Sequence, residues 1–478
     1  MDQIQSLLSW DQQTMMPPKS GKSRAEQISV LQRMIHGLKT EPRIQDWLAD
    51  AEQLHTKSVR QVSNLREIRR QYERENKIPE SLAAEISYKS SISQNVWSKA
   101  RSTNNFSKFS PYLSELILLR KEEANCIKKN SQTKYEALMN DYEPELSKNY
   151  VSELFKNLKP EIIRLLAKIE SKQLNISPIT RQFPRALQIK ISNILAKTLG
   201  YNFGLGRIDE SVHPFSSGNA TDSRITMRID EKNPFDCFFS TIHEVGHALY
   251  EQGIPEELVL EPAGIYASMG LHESQSRLLE NQIGRSKEFS KFFFSLIKKE
   301  LDSFELKNSQ DLFRFVNLVK PGFIRVDADE IHYNLHIMLR FELEELLIDN
   351  DLHVKDLEYE WNMRFKKDFG LEICKPADGL LQDVHWSAGI FGYFPSYTLG
   401  NIFAACLYEK IRASVPNYEK KISNGQISGV LSWLRSNIHF WARHLSTAEI
   451  LTQATKKNIS SKPLVDYLNS KYSEIYSL

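Results

Sequence analysis

The chain lacks an excess of charge of either sign: 62 Lys and Arg stand against 60 Asp and Glu, with no polybasic block among them. A nucleic-acid backbone or an anionic lipid surface is recruited by such an excess, so neither nucleic acid nor membrane is expected as a partner. Cysteine is also scarce. Cys126, Cys237, Cys374 and Cys406 lie far apart and form no CxxC pair, which excludes a disulfide framework and a cysteine metal site. Free thiols suit a reducing compartment, and the expected location is the cytoplasm. No stretch reaches the roughly 18 apolar residues of a membrane span, and residues 1–13 lack the basic and then apolar pattern of a leader. Linkers rich in Pro or Gly, internal repeats and low-complexity tracts are missing too. With 478 residues, 41% of them apolar, the chain can bury a large core, and it is read as one domain over 1–478.

What is present is helical pattern. Apolar residues recur three and four apart among Lys, Glu, Gln and Ser, as at Leu113, Leu116, Ile117 and Leu119, the signature of an amphipathic helix. The expected fold is mainly α. From Val59 to Lys129 the chain is highly charged and predicts long helices standing out from the body; residues 1–135 are accordingly read as a helical lid or wall and 136–478 as the catalytic body. Ser110 and Pro111 read as an N-cap and first helical position. One stretch departs from the helical rule. Arg224 to Ile229, RITMRI, alternates with period two, and Ser217, Gly218 and Asn219 before it have turn chemistry, so a small β-hairpin is expected here.

Thr241 to Tyr250 reads TIHEVGHALY: a His-Glu-x-x-His sequence in a helical pattern that should close at Gly253, a C-cap, with Pro255 beyond. Positions i and i+4 of a helix lie one turn apart on one face, so His243 and His247 can hold one Zn²⁺. Glu244 is turned off that line, where it can act as general base toward a metal-activated water. A catalytic zinc keeps three protein ligands and one open position. The segment Gly270 to Glu280, GLHESQSRLLE, reads as a second helix, and Glu273 is the expected third ligand. His272 beside it is expected to support a ligand or to pack. One ion per chain is expected, and the same donors also suit Co²⁺ and, to a degree, Mn²⁺. His332 and His336 repeat the spacing without a base between them and are read as surface or packing histidines.

Six motifs then follow one another in order. They are His213-Pro214-Phe215; Asp222 with Arg224 and Thr226; HEVGHALYEQG at 243–253; LHESQSR at 271–277; Ile324-Arg325 with Ala328 and Asp329; and Gly379 with Gln382, Asp383, His385 and Trp386. Together they resemble the carboxypeptidase Taq family of metallocarboxypeptidases, and the resemblance runs from Ser9-Trp10-Asp11 to Tyr467. It implies a large helical body with a deep active-site cleft, a small β-sheet at the cleft wall that contains the strand after Asp222, and a homodimer. A free sheet edge there could bind an extended peptide through its backbone. Two departures stand out: the helical segment that precedes SWD in the family is almost absent, which implies either a shortened lid or a misassigned start codon, and Trp441-Ala442-Arg443 stands where the family tends to have Gly-Arg.

The resemblance implies a zinc carboxypeptidase that hydrolyses the C-terminal peptide bond of peptides with broad side-chain specificity. Related helical metallopeptidases stabilise the oxyanion with a His and a Tyr; His385 and Tyr397 are the candidates, with Tyr393 close behind. Arg325 is placed by the resemblance to receive the substrate carboxylate, against a purely structural salt bridge with Asp327 or Asp329. Arg224 is read as structural. Two alternatives remain open: an oligopeptidase or dipeptidyl carboxypeptidase of the same chemistry, and a non-catalytic helical scaffold that keeps metal for stability. Glu244 argues against the scaffold, which has no use for an unliganded carboxylate at that place.

Overall fold

Among the described residues, periodicity of three and four becomes twenty α-helices, and the one period-two stretch becomes the centre of a three-stranded sheet. The computed structural model describes residues 1–54, 58–172, 174 and 176–478. Packing divides the chain into two compact units, each assembled from three stretches: 1–75, 175–316 and 400–459 form the first, and 76–174, 317–399 and 460–478 the second. No described helix is long and apolar enough to cross a membrane.

In the first unit, β1 (Ile208–Glu210) runs parallel to β3 (Asp222–Met227), and β2 (Ser216–Asn219) pairs with β3 antiparallel, so β3 is central. The hairpin is present, but its turn is not at Ser217 to Asn219. Those residues are strand β2, and Asn219 pairs with Asp222 across a two-residue turn. The Asn219 side chain explains the shift: its Oδ1 accepts from Thr221 N and Oγ1 at 2.9 Å each, an Asx turn that reverses the chain two residues later than composition suggests. Thr226 Oγ1 accepts from Phe215 N at 2.9 Å and from Ser211 Oγ at 2.7 Å, so it ties down the His213-Pro214-Phe215 loop. The N-terminal helix Asp2–Thr14 docks through Trp10, whose ring lies under the guanidinium groups of Arg207 and Arg224 at 5.4 and 4.4 Å. Each arginine is held bidentately, Arg207 by Asp209 and Arg224 by Asp222, so Arg224 is structural.

The second unit is built on the helix His332–Ile348, buried on nearly every side and packed against Leu357–Phe369 and Lys148–Glu170. The charged region folds as the long helices Val59–Lys77, Glu80–Ser102 and Phe106–Ile127. Pro111 does not open the last of these. Asn105 is the N-cap, its side chain accepting from Lys108 N at 3.2 Å, and Pro111 lies inside the helix. Ser110 therefore loses the N-cap role to a residue that caps one turn and more earlier. His332 and His336 are interior packing residues: His332 Nδ1 lies 2.7 Å from Asp329, and the ring of His336 packs 4.5 Å from that of Phe369.

Candidate metal centre

The helix that carries the His-Glu-x-x-His sequence, Pro234–Glu251, starts at a proline whose missing N–H costs nothing at a first helical position. Phe235, Phe238 and Phe239 pack against Phe293 and fix its first turn. The helix ends at Glu251 with Gln252 as C-cap, so Gly253 is not a left-handed cap. It is glycine for space: a Cβ there would stand 2.1 Å from His439 Nδ1. Gly246 has the same reason toward the helix Met269–Arg277, where a Cβ would meet Ser276 Cα at 2.4 Å. The close approach it permits brings Glu273 to the two histidines.

The Nε2 atoms of His247 and His243 lie 3.3 and 3.8 Å from Glu273 Oε2, and one ligand atom from each residue falls within 4.8 Å of the others. Glu273 Oε1 is held by Arg277 Nε at 2.7 Å, which leaves Oε2 to face the imidazoles. His243 Nδ1 lies 2.9 Å from Glu280 Oε2; a carboxylate accepts, so Nδ1 donates and Nε2 is left as a lone-pair donor. His247 is held by its face, stacked on His272 at 4.5 Å and 18°, and His272 in turn pairs with Glu251 at 3.0 Å. Burial holds His247 down to about 3. Burial would raise Glu273, but the nearby charges of Arg277 and His243 overcome it, and the carboxyl stays well below the usual carboxylate range. An ionised carboxylate with two imidazole nitrogens directed at one point is a donor set that fits a divalent ion.

Glu244 sits beside this cluster, 7% exposed. Burial pushes its carboxyl up to about 7, and it makes no hydrogen bond or ion pair with any described residue. It is thus a proton acceptor held near neutrality with nothing occupying its oxygens.

The other predicted residues, Arg325, His385 and Tyr397, come together in the second unit. Arg325 Nε and Nη2 donate to Asp383 Oδ1 at 2.9 and 2.8 Å, and Nη1 donates to Tyr333 OH at 3.0 Å. Its ion-pair partner is therefore Asp383, not Asp327 or Asp329. Asp329 is used locally, accepting from Ile331 N and His332 N at 2.9 and 3.0 Å. Arg340 pairs with the other oxygen of Asp383 at 2.6 Å. His385 Nε2 lies 3.2 Å from Tyr397 OH, and the Arg325 guanidinium stands 4.9 Å over the Tyr397 ring. Burial holds His385 down to about 4, only partly offset by Asp383, so its ring is neutral at pH 7. Tyr393 packs 5.6 Å from the His385 ring. Gln382 joins two of the motifs: its side chain accepts from Arg325 N at 2.7 Å and donates to Phe323 O at 3.0 Å.

Sequence reasoning did not assign Arg277, Glu280, Arg285 or Glu344. Arg277 and Glu280 follow Glu273 by four and seven residues, on the same helical face, and that spacing was an available signal. Glu344 had none. Its carboxyl, pushed up to about 7 by burial, accepts from Tyr135 OH, Trp386 Nε1 and Gly392 N at 2.9, 2.8 and 3.0 Å, and so fastens both ends of the segment that follows His385.

The family model of the carboxypeptidase Taq (M32) metallopeptidases matches residues 1–472. Carboxypeptidase 1 of Bacillus subtilis is 36% identical over 479 residues, covering 99% of this chain and 95% of its own. Thermostable carboxypeptidase 1 of Thermus thermophilus is likewise 36% identical, over 98% of this chain and 95% of its own. Among solved structures, the M32 carboxypeptidase from Deinococcus radiodurans R1 superposes with a TM-score of 0.96 at 32% identity, covering 99% of this chain and 96% of that one.

Proposed function

The chain belongs to the carboxypeptidase Taq (M32) family of metallocarboxypeptidases, and from that premise we propose that it removes C-terminal residues from peptides of broad side-chain type, using zinc held by His243, His247 and Glu273. Co²⁺ is the alternative ion for the same donors. The observation that carries the reading is the cluster of three candidate ligands with Glu244 beside it, buried and without a hydrogen-bond or ion-pair partner among the described residues. A divalent ion there supplies Lewis acidity, which polarises a carbonyl and makes water acidic. Glu244 takes the proton from the attacking water on its carboxylate and delivers it to the departing amine, so that one water is consumed and one peptide bond cleaved. Neutral His385 and Tyr397 are proposed as donors to the oxyanion.

Arg325 is the proposed receptor for the substrate carboxylate. Its contacts with Asp383 and Tyr333 use three of its five N–H donors. One N–H on each terminal nitrogen remains, a planar fork of the kind that grips a carboxylate. A receptor for the chain end alone makes no demand on side chains, which supports broad specificity. Residues 1–135 as a lid or wall, a homodimeric state and a cytoplasmic location complete the proposal; the family resemblance supports the first two, and four cysteines spaced far apart along the sequence support the third.

The rival reading is an oligopeptidase or dipeptidyl carboxypeptidase of the same chemistry. Peptides with free and amidated C-termini separate the two. Amidation should lower kcat/KM by about 100-fold, the loss of a charged bidentate pair, with single residues released from the free peptide. Equal cleavage of both peptides, or release of dipeptides, would favour the rival.

A further inference from the structure

The helix Met269–Arg277 continues directly into a π-helical segment, Leu278–Gly284. Such wide turns are rare and are frequently found at functional sites. This one carries Glu280, which sits in a web of partners. Its Oε2 lies 2.9 Å from His243 Nδ1 and receives Arg277 Nη1 at 3.3 Å, while Arg285 Nη2 donates to Oε1 at 3.3 Å. Arg277 also holds Glu273, so one guanidinium bridges the ligand carboxylate and Glu280. Two arginines offset the charge of Glu280, which allows an ionised carboxylate to be buried here. The histidine ligands differ in support. His243 has an acceptor on its Nδ1, whereas the Nδ1 of His247 has no hydrogen-bond partner among the described residues and that ring is held by stacking on His272.

We propose that Glu280 is a positioning residue of the metal centre: it accepts the Nδ1 proton of His243, fixes the tautomer whose Nε2 is a lone-pair donor, and orients the ring toward Glu273 Oε2. A carboxylate in this place also makes the imidazole a stronger donor. Glu280 does not touch the reacting atoms. This inference rests on the reading of His243, His247 and Glu273 as ligands.

The test is a titration of metal-free protein with Zn²⁺ against a chromophoric chelator, for wild type, Glu280→Gln and Glu280→Asp, with the thermal midpoint of each metal-free protein measured alongside. Gln keeps the shape and loses the charge; Asp keeps the charge between the two arginines but is one methylene short of His243. Both should bind Zn²⁺ about 10- to 100-fold more weakly than wild type, with changed visible absorption after Co²⁺ loading. A residue that merely balances Arg277 and Arg285 would spare the Asp variant, so wild-type affinity in Glu280→Asp, or affinity within twofold of wild type in both variants, overturns the proposal. The parent reading fails separately, if wild type takes up no Zn²⁺ or if His243→Ala binds it as tightly as wild type does.

Discussion

The metal cluster of the first unit and the arginine cluster of the second are built in opposite ways. Residues of the first lie on two helices and a π turn with its cap within 243–285, so helical spacing and one close helix–helix approach at Gly246 set their geometry. Those of the second are gathered from 325, 333, 340, 383, 385 and 397, and only the fold brings them together. Their charges are opposite as well. Glu273 and Glu280 are balanced by Arg277 and Arg285, and the Glu244 carboxyl, which burial pushes up to about 7, is the surplus acid; Arg325 and Arg340 stand against Asp383, one guanidinium in excess. A buried surplus of either sign calls for a counter-ion. The first surplus suits a metal cation and the second a carboxylate anion, which is the pair of ligands a metal-dependent carboxypeptidase must hold.

Substitutions can break this division of labour. The largest effect is expected from His247→Ala, which removes a proposed ligand: Zn²⁺ affinity should fall by about 10³-fold or more and hydrolysis with it, read by metal analysis and peptide release on the same sample. Asp383→Asn should do something different. It leaves Arg340, fully buried, and Arg325 without their anion, and should destabilise the protein by about 3 to 5 kcal/mol and raise KM while metal content stays at the wild-type level. Loss of metal in Asp383→Asn would show that the two clusters are not separate in function. The smallest effect is expected at Ala442, which sits at φ 46° and ψ −129°, a region that favours glycine. Ala442→Gly should raise stability by about 1 kcal/mol, seen as a higher thermal midpoint with unchanged hydrolysis. A lower midpoint would mean that the buried methyl group outweighs the backbone strain.

The same contrast explains what could be read from the sequence. Helix was legible wherever apolar residues recur three and four apart, and His243, His247 and Glu273 were legible because a helix turns spacing into geometry. Glu280 obeys that rule, seven residues after Glu273, and was within reach. The partner of Arg325 was not: Asp383 is 58 residues away, and the nearer Asp329 is spent on the backbone of Ile331 and His332 and on the His332 ring. Local chemistry misled in three places. Gly253 resembles a cap but makes room for His439, Pro111 resembles a helix start but follows an earlier Asn105 cap, and Gly218 lies in a strand while Asn219 directs the turn. In each case a side chain out of register with the obvious turn residue decided the outcome. The departure at Ala442 was visible as a missing glycine, and the positive φ gives its physical meaning.

His243, His247 and Glu273 are proposed to hold the metal while Glu244 moves the proton. Zinc content and release of C-terminal residues, measured together for wild type and Glu244→Gln, test it most directly. About one Zn²⁺ per chain is expected in both proteins, with kcat lowered by about 10³-fold in the variant. Full activity in Glu244→Gln, or a wild-type chain that hydrolyses peptides without metal, would contradict it.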